Sequence, residues 1–134
     1  CQACGTCKKQ NVDCIIQDDL LPYWKDLHEC GALVLAAPNY CSQVSGPMIT
    51  YMNRHYCLIT ADGVRVHPGI KLVGVFAQGA KDRYESAEKA YDWFLKDFQN
   101  RDMILHAKIV HTSADSLEAD GEIMQNAYEA GRSL

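Results

Sequence analysis

Along the chain, short continuous apolar runs alternate with longer stretches in which apolar residues recur at helical spacing. ALVLAAP over 32–38 and KLVGVFAQG over 71–79 are near-continuous apolar runs closed by Pro or Gly, the pattern of strands buried on both faces of a parallel sheet. ILHAKIVHT over 104–112 alternates more and predicts a strand nearer an edge. Between these runs the helical patterns fall. DDLLPYWKDLHECG opens on Asp18 and Asp19, has Pro22 in its first turn, sets Leu20, Trp24 and Leu27 on one side and stops at Gly31. A further helix starts at Ser45 and Gly46 and carries Met48, Met52 and Tyr56. YESAEKAYDWFLKDFQN places Tyr84, Ala87, Tyr91, Phe94, Leu95 and Phe98 three and four residues apart, with charge on the opposite side. EADGEIMQNAYEAGRSL repeats that pattern with Ile123, Met124, Ala127 and Tyr128 and ends near Gly131. Helix, strand, helix, strand, helix, strand, helix is the order of an α/β protein, and neither repeats nor low-complexity linkers interrupt it.

Composition narrows the function classes. With 134 residues and 48% apolar composition, the chain is expected to be one domain over 1–134. No run of about 18 apolar residues offers a membrane span, and no basic-then-apolar leader precedes the cysteines, so a cytoplasmic protein without a membrane partner is expected. The net charge of −4 arises from interspersed acids and bases, and without a basic stretch nucleic acid is not an expected partner. Seven cysteines is an odd number, which fits a closed disulfide framework poorly. Four of them, Cys1, Cys4, Cys7 and Cys14, crowd the opening CQACGTCKKQNVDC and make 1–17 a cysteine-rich segment. The first residue is Cys and already belongs to that motif, so the chain is expected to be processed or part of something longer.

In an open parallel sheet, ligands sit beyond the carboxyl ends of the strands. The loops there are PNYCSQVSG after the first strand and AQGAKD after the second. Ser45 and Gly46 read as a helix entry whose free backbone N–H groups can face a polar ring edge or an anion. Asn39 and Tyr40 supply an amide and a flat surface; the plainer alternative is a capped loop with a tyrosine over the sheet end. His28, His55, His67, His106 and His111 are scattered and read as surface or satisfied core residues. No side chain stands out as an acid–base catalyst. Cys30, Cys41 and Cys57 read as small buried hydrophobes, with Cys41 also placed to touch a bound ring.

CxxCxxCKK, a further Cys before IIQDDL, then APNY followed by SG and Arg54, resembles the NADPH-dependent FMN reductase family of flavodoxin-like proteins, most closely its iron–sulfur flavoprotein branch. The resemblance spans essentially the whole chain. It implies a flavodoxin-like parallel sheet with flanking helices, and a loop of the form S-P-x-Y, then S-G-x-x-K-x-x-x-D-R, lining the isoalloxazine ring of FMN. Pro38, Tyr40, Ser45, Gly46 and Arg54 match that pattern. Ala37, Ile49 and Asn53 depart from it, and the loss of two helix charges argues against an ion-pair role for Arg54. The resemblance further implies that Asn39 and Cys41 face the flavin, as do Gln78 and Gly79 from the second loop. The implied reaction is hydride transfer from NADPH or NADH to FMN, followed by electron delivery to a small-molecule acceptor or a redox protein, in a homo-oligomer. The alternative class is a non-catalytic electron carrier or a metal- or cluster-binding module.

In that family the FMN phosphate is cradled by a Ser/Thr-rich loop after the first strand, upstream of the cysteines. The chain is therefore expected to lack the first two strands and first helix of such a sheet, to leave the 32–38 strand as an exposed edge, and to bind FMN weakly. For the opening cysteines, short two-residue gaps let successive thiolates converge on one face of a cubane. Cys1, Cys4, Cys7 and Cys14 are thus candidate ligands of a [4Fe–4S] cluster, with free thiols and tetrahedral zinc as alternatives. Lys8 and Lys9 are expected to favour thiolates.

Overall fold

The apolar runs become the strands of one sheet, and the periodic stretches become helices packed on it. The computed structural model describes residues 1–134. Its order is α1 (Thr6–Gln10), α2 (Tyr23–Glu29), β1 (Ala32–Tyr40), β2 (Gln43–Val44), α3 (Gly46–Arg54), a 3₁₀ turn (His55–Leu58), β3 (Ile59–Thr60), β4 (Gly63–Val64), β5 (Lys71–Ala77), α4 (Glu85–Gln99), β6 (Ile104–His111) and α5 (Glu122–Arg132). The main sheet runs β2-β1-β5-β6, and β3 and β4 form a separate ribbon. β1, β5 and β6 are parallel, whereas β2 folds back antiparallel on the end of β1. The fold is α/β, but the sheet is mixed rather than all-parallel.

The correction has a local cause. Pro38 does not end the first strand; it stays in register opposite Ala77, and β1 continues to Tyr40 before turning at Cys41 and Ser42, with φ 52° and 59°. Two left-handed residues between paired strands make a type I′ hairpin, which usually selects Asn-Gly. Pro38 is accommodated because that side of β1 borders no full-length neighbour.

Burial also differs along the sheet. β5 is covered on both faces, with Leu72, Val73 and Phe76 nearly inaccessible. β1 is not: Leu35 and Ala37 are buried, while Val34 is 55% exposed and Ala36 and Pro38 are open. The expectation of two buried faces fails for β1. Beside its uncovered edge runs a groove of about 540 Å³, lined by Leu33, Val34, Tyr23, Met48 and Tyr51 among others.

The core lies between the sheet and α2, α3 and α4. α4 buries Ala87, Tyr91, Phe94, Leu95 and Phe98, as their spacing predicts. It approaches β5 where Gly74 has no side chain: a Cβ there would sit 2.8 Å from Leu95 Cδ2 and 2.9 Å from the Phe76 ring. Gly74→Ala is therefore expected to destabilise the fold by about 1–3 kcal/mol through overpacking. A denaturant midpoint equal to that of the parent would refute this.

α2 is shorter than its apolar pattern predicts, because Pro22 caps rather than continues it. The preceding residues form a turn in which the Asp18 carboxylate accepts the Leu20 N–H at 3.1 Å. The helix predicted through Tyr56 is α3 tightened into the 3₁₀ turn after Arg54. The strand predicted over 71–79 ends at Ala77. α5 buries no side chain. Polar bonds hold the end of its segment: Lys71 Nζ donates to the Ser133 and Leu134 carbonyls at 2.7 and 3.0 Å, and His106 Nε2 meets Ser133 Oγ at 2.8 Å.

Candidate functional site

Two groups of candidate residues stand at opposite ends of α3. Nine residues of helix at 1.5 Å each separate them by about 14 Å.

At the carboxyl edge of the sheet, the β1–β5 register sets Pro38 opposite Ala77, so the loops carrying Asn39 to Gly46 and Gln78 to Gly79 lie side by side. Tyr40 is 66% exposed and presents its ring to solvent. The amide Nδ2 of Asn39 is buried and lies against the Tyr91 hydroxyl. Ser45 is buried, its N–H bonded to the Pro38 carbonyl at 3.2 Å, which ties the hairpin to the start of α3 at Gly46. Its hydroxyl makes no capping bond. Cys41 is exposed at the hairpin tip, not buried as a small hydrophobe, because the turn turns it outward.

Gln78 faces inward. Its Nε2 donates to the Asp82 carbonyl at 2.7 Å, its Oε1 accepts the Tyr91 hydroxyl at 3.1 Å, and its N–H reaches the His111 carbonyl at 2.9 Å. It braces the loop, and Gly79 is exposed to solvent beside it.

At the other end of α3, Cys1, Cys4, Cys7 and Cys14 all line one small cavity, together with Cys57, Arg54 and Tyr56. Every cysteine of the chain is a free thiol. The Cys4 thiol is held below its ordinary range first by the Thr6 backbone N–H, then by the Thr6 side chain, with Lys9 the smallest influence. The local turn, more than the lysine pair, favours this thiolate. Lys8 is turned away to the Tyr56 and Ile59 carbonyls and lies 3.9 Å over the Tyr56 ring. Cys57 is pushed up to about 11 by burial, although the Cys14 N–H bonds its sulfur.

Arg54, 6% exposed, pairs with Asp18 through both terminal nitrogens, NH2 to Oδ1 at 3.2 Å. The expectation that Arg54 lacks an ion pair is thus overturned: its partner comes from the IIQDDL segment and not from its own helix. The pair holds Asp18 below the usual carboxylate range and raises Arg54. The guanidinium also meets the Cys14 thiol, which raises Arg54 further.

The cysteines fit a thiolate-held metal group in kind: four thiols of the motif and a fifth from Cys57 border one space, with a cation at its wall. That space is about 20 Å³, close to the volume of one ion or water. No three Cys, His, Asp or Glu side chains close on one point, so a cubane would have to displace the 1–14 segment outward. Local spacing pointed to the four N-terminal cysteines. Nothing in the sequence ties Cys57 or Asp18 to them, since these contacts cross the chain.

What fold and sites define is a class: an α/β protein with a mixed sheet, two adjacent loops at its carboxyl edge and a cysteine-lined cavity at the opposite end of α3. No protein-family model, curated protein or solved structure matches the chain, so the family resemblance rests on the residues themselves. No helix is long and apolar enough to cross a membrane.

Proposed function

We propose that the chain is part of a flavodoxin-like NAD(P)H oxidoreductase that holds FMN at the carboxyl edge of β1 and β5. The observation that carries this reading is the parallel register that sets the Tyr40 loop beside the Gly79 loop, the place where open α/β sheets receive ligands. FMN would supply hydride acceptance from NADPH or NADH and delivery of electrons to a small-molecule acceptor or redox protein. The chain's own residues orient it. Tyr40 offers a face for stacking, Asn39 offers an amide beside the Tyr91 hydroxyl, and the first turn of α3 at Gly46 offers backbone N–H groups. Gln78 holds the second loop in place by its bonds to Asp82 and Tyr91.

Fluorescence titration of FMN against the chain tests this. Weak, saturable quenching is expected, because these loops line a ring and offer no Ser/Thr-rich phosphate cradle. Tyr40→Ala should weaken it about 2- to 10-fold, the worth of one aromatic stack. No quenching at millimolar FMN would overturn the flavin reading, and stoichiometric quenching at low micromolar protein would overturn the expected weakness.

The presence of Cys1, Cys4, Cys7 and Cys14 in the lining of one cavity favours a second reading, in which the chain carries electrons or binds metal without catalysis. A [4Fe–4S] cluster held by these four would supply one-electron transfer. A visible spectrum separates the readings, since flavin gives two resolved bands and a cluster a broad brown shoulder.

A further inference from the structure

We propose that the cavity bordered by α1, the end of α3 and the end of α4 binds a small oxyanion, a carboxylate or a phosphate monoester, carried on an apolar body. The cavity measures about 530 Å³, within the range of about 300–1,000 Å³ typical of small-molecule sites. It lies beside the cysteine cavity, with Cys1, Gly5 and Tyr56 bordering both. Two cations stand on its wall, and neither the carboxyl-edge loops nor the cysteine motif makes use of them. Arg101 is the first, only 4% exposed. Its Nε donates to the His55 carbonyl at 3.3 Å, and its Nη1 donates to the carbonyl and the carboxylate of Asp97. Those bonds fix the guanidinium plane before any ligand arrives, so little ordering is left for binding to supply. Nη2 has no protein acceptor and is not sealed from solvent. The cavity that Arg101 borders is where its remaining N–H groups can find one.

Lys8 is the second cation. Its ammonium donates to the Tyr56 and Ile59 carbonyls, yet it takes part in no ion pair of the chain. An ammonium has three donors, so one N–H and the full charge remain. Lys8 and Arg101 against Asp97 leave the lining one positive side-chain charge in excess, although the whole chain stands at −4. Two charge-assisted donors on fixed supports suit an anion with at least two oxygens, and the exposed Asn53 amide adds a neutral donor at the rim. The rest of the lining includes Ala3, Met52 and Ile59, which favour an apolar body behind the charged head.

The test titrates the full chain, by calorimetry and by NMR, with benzoate, phenyl phosphate and, as the uncharged control, benzyl alcohol. Saturable binding with a Kd of about 1 mM is expected for the anions, and none for benzyl alcohol. Saturation by either anion supports the site, and the tighter of the two assigns the head group. Lys8→Met, which keeps the length of the side chain and loses its charge, should weaken binding about tenfold. Lys9→Met, at an exposed neighbour that does not border the cavity, should stay within about twofold of wild type because its charge is screened by solvent. A measurement on wild type alone avoids any loss of fold in the variants: the ring protons of the bound anion should show NOE contacts to the methyl groups of Met52 and Ile59. Saturation by neither anion, equal affinity for benzyl alcohol, or saturation without those contacts would overturn the site. Equal losses in the two lysine variants would overturn it as well, since they would mark diffuse attraction rather than a built pocket.

Discussion

Acidification from pH 7.5 to 4.5 is expected to remove about 3 kcal/mol of folding stability through His55 alone. His55 is fully buried, with its Nε2 3.0 Å from the Tyr23 hydroxyl and its Nδ1 unpartnered. Tyr23 in turn meets the Tyr51 hydroxyl at 2.5 Å. Burial first, and Arg101 second, lower His55 from 6.5 to about 3. The folded state therefore keeps the ring neutral while the unfolded chain takes up a proton below 6.5. The contribution is complete above that value and is lost as pH falls toward 3, at about 1.4 kcal/mol per unit. Asp18 acts in a lower window, below 3.8, because its hydrogen bond with Arg54 lowers its carboxyl from that value. Urea unfolding of wild type and His55→Phe at pH 7.5, 5.5 and 4.5 checks this: the variant should lose the upper acid slope. Parallel slopes in the two proteins would place the titration elsewhere.

Phe98→Ala is expected to cost about 3–5 kcal/mol. The ring is wholly buried and lies 5.0 Å from the His55 ring, 5.2 Å from Phe94 and 6.2 Å from Tyr51. It joins α4 to the 3₁₀ turn that carries His55 and Cys57, so truncation should also loosen the buried wall of the cysteine cavity. On the same helix Trp93 is 58% exposed, and Trp93→Ala should stay within about 0.5 kcal/mol of the parent. Equal denaturant midpoints for the two variants would show that Phe98 does not anchor the core.

Patterns confined to one element were legible in the sequence. The spacing of Ala87, Tyr91, Phe94 and Phe98 named the buried side of α4, and the apolar run at 71–79 named a strand buried on both faces, because both depend on the pattern along a single segment. The hairpin after β1 was not legible. Cys-Ser is a poor signature for a type I′ turn, and its left-handed residues are held by the β1–β2 pairing and the Ser45 to Pro38 bond. The one-sided burial of β1 was hidden for a similar reason: Val34 and Leu35 are equally apolar, and only the packing around the strand tells them apart. The carboxyl-edge loops could be located because topology fixes where such loops lie, but the inward turn of Gln78 depends on Tyr91, thirteen residues on. Arg54 shows the limit most clearly. Its partner Asp18 is 36 residues away, a separation at which charge patterning along a helix says nothing.

The way α5 is attached has a kinetic consequence. A helix with no buried side chain, whose segment is held through Ser133, Leu134, Lys71 and His106, can detach while the rest of the sheet stays folded. Its amides should therefore exchange with solvent through a sub-global opening, at a free energy well below that governing β5 and α4. Each such opening would bare the side of β6 that α5 lies against, and a protease is expected to cut near 114–121 before it reaches the core.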